Sequence, residues 1–147
     1  MSDVTLVMAE FGPQRKNAGG SALPLDRLEP TLSTFRETFP ECDIKLYTDN
    51  TDLLVEGVSV DVVDPPAIFD KRNRRYNWRC NDYYKIIGLQ KVQTKFAIAM
   101  DADMVISNAK LFRTILPMVD KFGIAVPQPQ GYIYNKQLCR YYAYFTS

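Results

Sequence analysis

Asp101 and Asp103 stand one residue apart at the end of an apolar run, Phe96-Ala-Ile-Ala-Met100. Alternate side chains of an extended chain share a face, so this spacing predicts two carboxylates pointing the same way. Two carboxylates side by side at the mouth of a buried strand are costly unless a positive group lies between or beyond them. A divalent cation carrying a diphosphate meets that requirement. The competing reading of Asp-x-Asp is a strand-end cap or a solvated turn. The chain has no histidine, which removes Ser-His-Asp and Cys-His chemistry and any His-ligated metal. Its three cysteines, Cys42, Cys80 and Cys139, are far apart and fit neither a zinc spacing nor a disulfide framework. Oxygen ligands remain, and they favour Mg²⁺ or Mn²⁺.

The elements that would position this pair are legible as alternating apolar patterns. Residues 4–11 read as a short buried strand. A helix is expected over 25–39, where Leu25, Leu28, Leu32, Phe35 and Phe39 share one face. Asp26 stands near its start, where a carboxylate suits the helix dipole. Pro30 is tolerated only near a first turn, which places the true start nearer Glu29. Residues 43–48 and 58–63 read as two further strands, and Asp49-Asn50 as a turn. A basic irregular segment spans 71–75. Asn77 is placed to cap a helix running to about residue 92. The strand carrying the aspartates follows, then a helix over 111–122 kinked or divided by Pro117, then a short strand over 123–126. Alternation of this kind predicts an α/β fold, a mostly parallel sheet flanked by helices. Ligands bind such sheets at the carboxyl ends of the strands, where Asp49, Asp101 and Asp103 fall.

Other groups could join the chemistry. Arg79, Asp82 and Lys85 recur every third residue along the helix before the motif, with Tyr83, Ile86 and Ile87 turned away from them. They are either a solvated face with an Asp82–Lys85 pair or a stripe overlooking the site. Lys71, Arg72, Arg74 and Arg75 make a basic loop that is either solvated or closes over a polyanion, an anionic acceptor or a membrane surface. Tyr76 and Trp78 could stack on a sugar or base, or pack in the core. The 138–145 stretch is aromatic and apolar, so it calls for a packing partner, in this chain or in a homo-oligomer.

At 147 residues with 46% hydrophobic and 24% charged content, the chain reads as a single globular domain. A net charge of +1 argues against a general nucleic-acid binder. No apolar stretch is long enough to cross a bilayer and the N-terminus carries no secretory pattern, so a cytoplasmic setting is expected.

The series Asp43-Ile-Lys-Leu-Tyr-Thr-Asp49, followed by Ala99-Met-Asp101-Ala-Asp103-Met-Val-Ile106, resembles GT-A-fold glycosyltransferases, most closely the family 8 type. The resemblance covers the nucleotide-binding half, roughly residues 4–126, and leaves an acceptor-binding part missing or minimal. It implies a Rossmann-like sheet and a metal-dependent transferase that moves a sugar from a nucleotide-diphosphate donor to a glycan, lipid or protein acceptor. It implies that Asp103 ligates Mn²⁺ or Mg²⁺ and that Asp101 shares the metal or contacts the ribose, with Ala102 between them. It further implies donor contacts from Arg79, Asp82 and Lys85. Asp49 is implied to bond the base, with turn capping as the alternative. Main-chain groups of Ala9, Glu10 and Phe11 are implied to hold the base as well. It names no catalytic base or nucleophile. Family members often add a late histidine to the metal, and none exists here, so a catalytically inactive nucleotide-binding remnant is one alternative. A sugar-phosphate nucleotidyltransferase is the other, although Gly19-Gly20 lacks the third glycine, threonine and arginine of that family's loop and reads better as a flexible connection.

Overall fold

A computed structural model describes residues 2–12 and 24–125, with the side chains of 24–27 excluded. The Gly19-Gly20 segment, Val126, the 138–145 stretch and the side chains of Leu25 and Asp26 lie outside what is described. The chain divides into two compact units, Met1–Ala109 and Lys110–Ser147.

The first unit is α/β. Its four strands, β1 (Val4–Glu10), β2 (Asp43–Thr48), β3 (Ser59–Val62) and β4 (Phe96–Ala99), form one all-parallel sheet in the order β3-β2-β1-β4. This arrangement is compatible with a Rossmann-like fold. Central β1 is apolar along nearly its whole length because both of its faces are covered: Leu6, Val7, Met8 and Ala9 are all essentially inaccessible. One face packs on helix α2 (Tyr76–Lys91), with Val7, Ala9, Phe11, Tyr47 and Cys80 in one cluster. The edge strands are less buried, and a Lys45–Asp61 ion pair of 3.3 Å ties β2 to β3.

Helix α1 spans Pro24–Thr38 and contains Pro30, contrary to a start near Glu29. A proline inside a helix costs about 3 kcal/mol. Leu28, Leu32 and Phe35 are buried on one stripe, each contributing roughly 1.5–3 kcal/mol, so tertiary burial outweighs the break. Helix α2 begins at Tyr76 with Arg75 at its cap position and no side-chain capping bond. Asn77 therefore is not the cap. Its amide instead lies against Gly12, where an added Cβ would come within 2.4 Å of Asn77 Nδ2 at a φ of +98°.

Asp101 and Asp103 lie beyond β4 in a turn closed by a Met104 N–H bond to the Asp101 carbonyl. The extended-chain argument for their common direction therefore does not apply. In the second unit the helix expected over 111–122 is divided at Thr114 into α3 (Ala109–Arg113) and α4 (Ile115–Phe122), with Pro117 in the first turn of α4. Gly123 closes α4 with a φ of 83°, and Ile124 and Ala125 are not extended into the expected strand.

Candidate functional site

Strand order decides where a crevice opens. The chain moves from β1 outward through β2 to β3, then returns to place β4 on the other side of β1. Loops leaving β1 and β4 therefore diverge to opposite sides, and the gap between their carboxyl ends is the switch point at which open α/β sheets bind ligands. A cleft of ≈ 390 Å³ lies there, lined by Glu10 from β1, by Asp101, Ala102 and Asp103 after β4, and by Trp78, Asn81 and Asp82 from α2.

The α2 contributors, with Lys85, are spaced i, i+3, i+4, i+7, one face of a helix. This is not the stripe of every third residue: Arg79 is exposed and outside the lining. The face turned to the sheet carries Cys80, Asn81, Tyr84 and Gly88, while Ile86 is exposed. Aromatic packing seats the helix, with Tyr84 stacked between Phe11 at 5.1 Å and Tyr47 at 5.6 Å. The Tyr84 hydroxyl donates to the Asp64 carbonyl.

Polar bonds fix the walls. Buried Asn81 accepts the Phe11 N–H through Oδ1 at 2.9 Å. Asp49 Oδ1 accepts the Gly12 N–H at 3.0 Å, tying the end of β2 to the end of β1. The Thr31 hydroxyl of α1, fully buried, donates to the Ala102 carbonyl at 2.9 Å. Thr34 Oγ1 accepts the Ile106 N–H at 3.1 Å. The aspartate turn is thus held from behind by two threonines one helical turn apart. Ala9 and Phe11 are buried in the core beneath the cleft rather than lining it.

Lys85 joins the two sides. Its Nζ lies 2.5 Å from Asp101 Oδ1 and 3.1 Å from Asp82 Oδ1, and its side chain is 15% exposed against 57% for Asp101. Burial pulls the Lys85 pKa down, but the hydrogen bonds and charges of Asp101 and Asp82 together outweigh it and leave it above the ordinary lysine value. With the folded-state pKa raised, the lysine's contribution to stability is fully present below about pH 10.5, wherever its carboxylate partners are ionised, and is lost as pH climbs through the folded value. At neutral pH the ammonium is in place.

Asn81, Thr31 and Thr34 are the positioning residues that sequence reasoning missed. Their signal was a polar side chain standing on an otherwise apolar helical stripe. Asn81→Ala leaves the Phe11 N–H buried without its acceptor, which costs about 1–3 kcal/mol. The expected result is a midpoint lowered by roughly 2–12 °C in thermal unfolding, together with faster amide exchange at Phe11. Unchanged exchange there would show that the bond does not hold the cleft wall.

No protein-family model, no curated protein and no solved structure matches the chain. Function is therefore argued from the cleft.

The lining offers oxygen donors, which suit Mg²⁺ or Mn²⁺ rather than softer metals. Among the described residues no three His, Cys, Asp or Glu side chains converge as a metal-holding group. Asp101 and Asp103 are the two carboxylates that follow β4 on this lining, and Mg²⁺ with nucleotides is generally held by one or two carboxylates and substrate phosphates. Cys42 and Cys80 are free thiols whose pKa values are pushed up by burial, so neither is an activated nucleophile. A second cavity of ≈ 370 Å³ opens at the amino ends of the strands, between Thr5, Lys45, Ser59, Lys91 and Thr94, away from the switch point.

Proposed function

We propose that the chain is a metal-dependent glycosyltransferase of GT-A type that binds a nucleotide-diphosphate sugar in the cleft between β1 and β4. The observation that carries this reading is the meeting of Asp101, Asp103 and Glu10 at the topological switch point of an all-parallel sheet. Asp101 and Asp103 are the residues to hold Mn²⁺ or Mg²⁺. When bound, that ion neutralises the diphosphate and acts as Lewis acid toward the departing nucleotide. Lys85 supplies a second positive charge beside it. Thr31 and Thr34 hold the aspartate turn in place, and Asn81 fixes the loop after β1. Trp78, 58% exposed on the lining, offers an aromatic face to a base or sugar. Among the described residues no helix is long and apolar enough to cross a membrane.

Trp78 is the chain's single tryptophan, so its emission reports on this cleft alone. Titration with UDP, GDP, CDP and ADP and their sugars, each with and without Mn²⁺, is expected to change Trp78 emission for one base and only with the metal. Release of the matching nucleoside diphosphate from its sugar then establishes transfer or donor hydrolysis. Binding without release reduces the reading to a nucleotide-binding domain. No emission change with any ligand, from a protein that unfolds cooperatively, removes the reading altogether.

A further inference from the structure

We propose that Lys85 is a built-in counter-cation of the cleft: it occupies the Asp101 carboxylate in the ligand-free protein and must leave it before a divalent metal binds there. Metal binding then depends on a diphosphate that draws the ammonium away, so metal and nucleotide enter together. This inference rests on the metal–diphosphate reading of the cleft.

Geometry sets the two cations in competition for one carboxylate. Lys85 Nζ lies 2.5 Å from Asp101 Oδ1, and a Mg²⁺ ion would need an oxygen at about 2.0–2.1 Å. An ammonium and a divalent ion on the same oxygen repel strongly in a partly shielded site. The ammonium sits on the inner side of the pair, since Lys85 is largely covered while Asp101 and Asp82 face water. Solvent therefore competes weakly for it.

Asp82 explains how the ammonium can be released without being lost. It stands three residues before Lys85 on the same helix and holds Nζ at 3.1 Å. When Asp101 turns to a metal, Lys85 keeps one carboxylate and swings on a flexible four-carbon stem toward phosphate oxygens. The outgoing interaction is replaced by one of the same kind, so the exchange needs only a diphosphate to tip it.

The test measures Mn²⁺ alone, from the electron paramagnetic resonance signal of the free ion, with no nucleotide present. Wild-type protein is expected to bind Mn²⁺ weakly, and Lys85→Met at least about tenfold more tightly because the competing charge is gone. Lys85→Gln, which keeps the stem and its polarity, is expected to gain similarly and guards against a folding defect in the first variant. Adding Asp101→Asn to Lys85→Met is expected to return binding to the wild-type level. If neither single variant binds Mn²⁺ more tightly than wild type, the proposal fails. In that case a wild-type midpoint raised by Mn²⁺ with UDP, GDP, CDP or ADP leaves the cleft reading standing, whereas no rise with any of them overturns both.

Discussion

Asp103→Asn is expected to leave the chain folded and, on the metal–diphosphate reading proposed above, to abolish the metal-dependent response to nucleotide. Asp103 is exposed in the turn after β4, and the substitution keeps the side chain's shape while deleting its charge. A ligand present at a hundred times its dissociation constant stabilises a protein by about 2.7 kcal/mol, which for a chain of this length raises the midpoint by roughly 5–10 °C. In wild type with Mn²⁺ and the matching nucleotide that rise is expected. In Asp103→Asn it is expected to vanish, and any donor turnover to fall by at least about a hundredfold, since a metal held there would contribute several kcal/mol to charge stabilisation. Asp101→Asn gives a less pure answer, because it also releases Lys85 from its 2.5 Å bond. The deciding measurement is Mn²⁺ affinity with nucleotide bound. An Asp103→Asn variant with wild-type affinity would exclude Asp103 as a ligand and leave Asp-Ala-Asp as a turn.

Fold and site were legible to different depths. The strand β2 stood in the sequence with its bounds intact, because Ile44 and Leu46 alternate with Asp43 and Lys45 and the stretch ends in the turn residues Asp49-Asn50. The alternation of strands and helices was enough to give an all-parallel sheet. Helix boundaries were less legible where one local rule met a longer-range force. Pro30 argues for a late start, and the buried stripe of Leu28, Leu32 and Phe35 overrides it. Asn77 has the chemistry of a cap, but its amide lies against Gly12, and the cap position falls two residues earlier, at Arg75. For the site, Asp101, Asp103 and Asp82 were nameable from their types and spacing, Glu10 only through the resemblance and for its main chain, and the four do share one cleft. Which face of α2 meets them was not legible. Asp82 and Lys85 were in the expected stripe, but spacing of three fits a helix nearly as well as spacing of three and four, and only the seating of Cys80, Asn81 and Gly88 on the sheet puts Trp78 and Asn81 beside them in place of Arg79. Strand order was also hidden. Pairing β4 with β1 rather than β3 is a tertiary choice, yet it creates the crevice.

Gly88→Ala is expected to destabilise the protein by a net of about 1–2 kcal/mol, although alanine is the better helix former. Position 88 lies within α2, where replacing glycine gains roughly 1 kcal/mol of propensity. Against that gain, a Cβ there would stand 2.5 Å from Val7 Cγ1 and 2.7 Å from Tyr47 Cε2. Neither neighbour can yield cheaply. Val7 is fully buried on the central strand, and its β-branched side chain is stiff at χ1. Tyr47 is also buried, with its ring stacked on Tyr84. Overpacking of such a core costs typically 1–3 kcal/mol and can cost more, so relief requires the helix itself to lift from the sheet. Lys85 is three residues before Gly88, and Asn81 is seven before it on the sheet-facing side. Lifting α2 therefore stretches the Asn81 bond to Phe11 and the Lys85 bond to Asp101 together. The expected observation is a midpoint lowered by roughly 2–8 °C and, on the proposed metal–nucleotide reading, weaker Mn²⁺-dependent nucleotide binding at temperatures where the variant is still folded. Fold and site would then be coupled through one missing methyl group. A Gly88→Ala protein as stable as wild type would mean that α2 has room above Val7 and that the cleft's width is set by its loops alone.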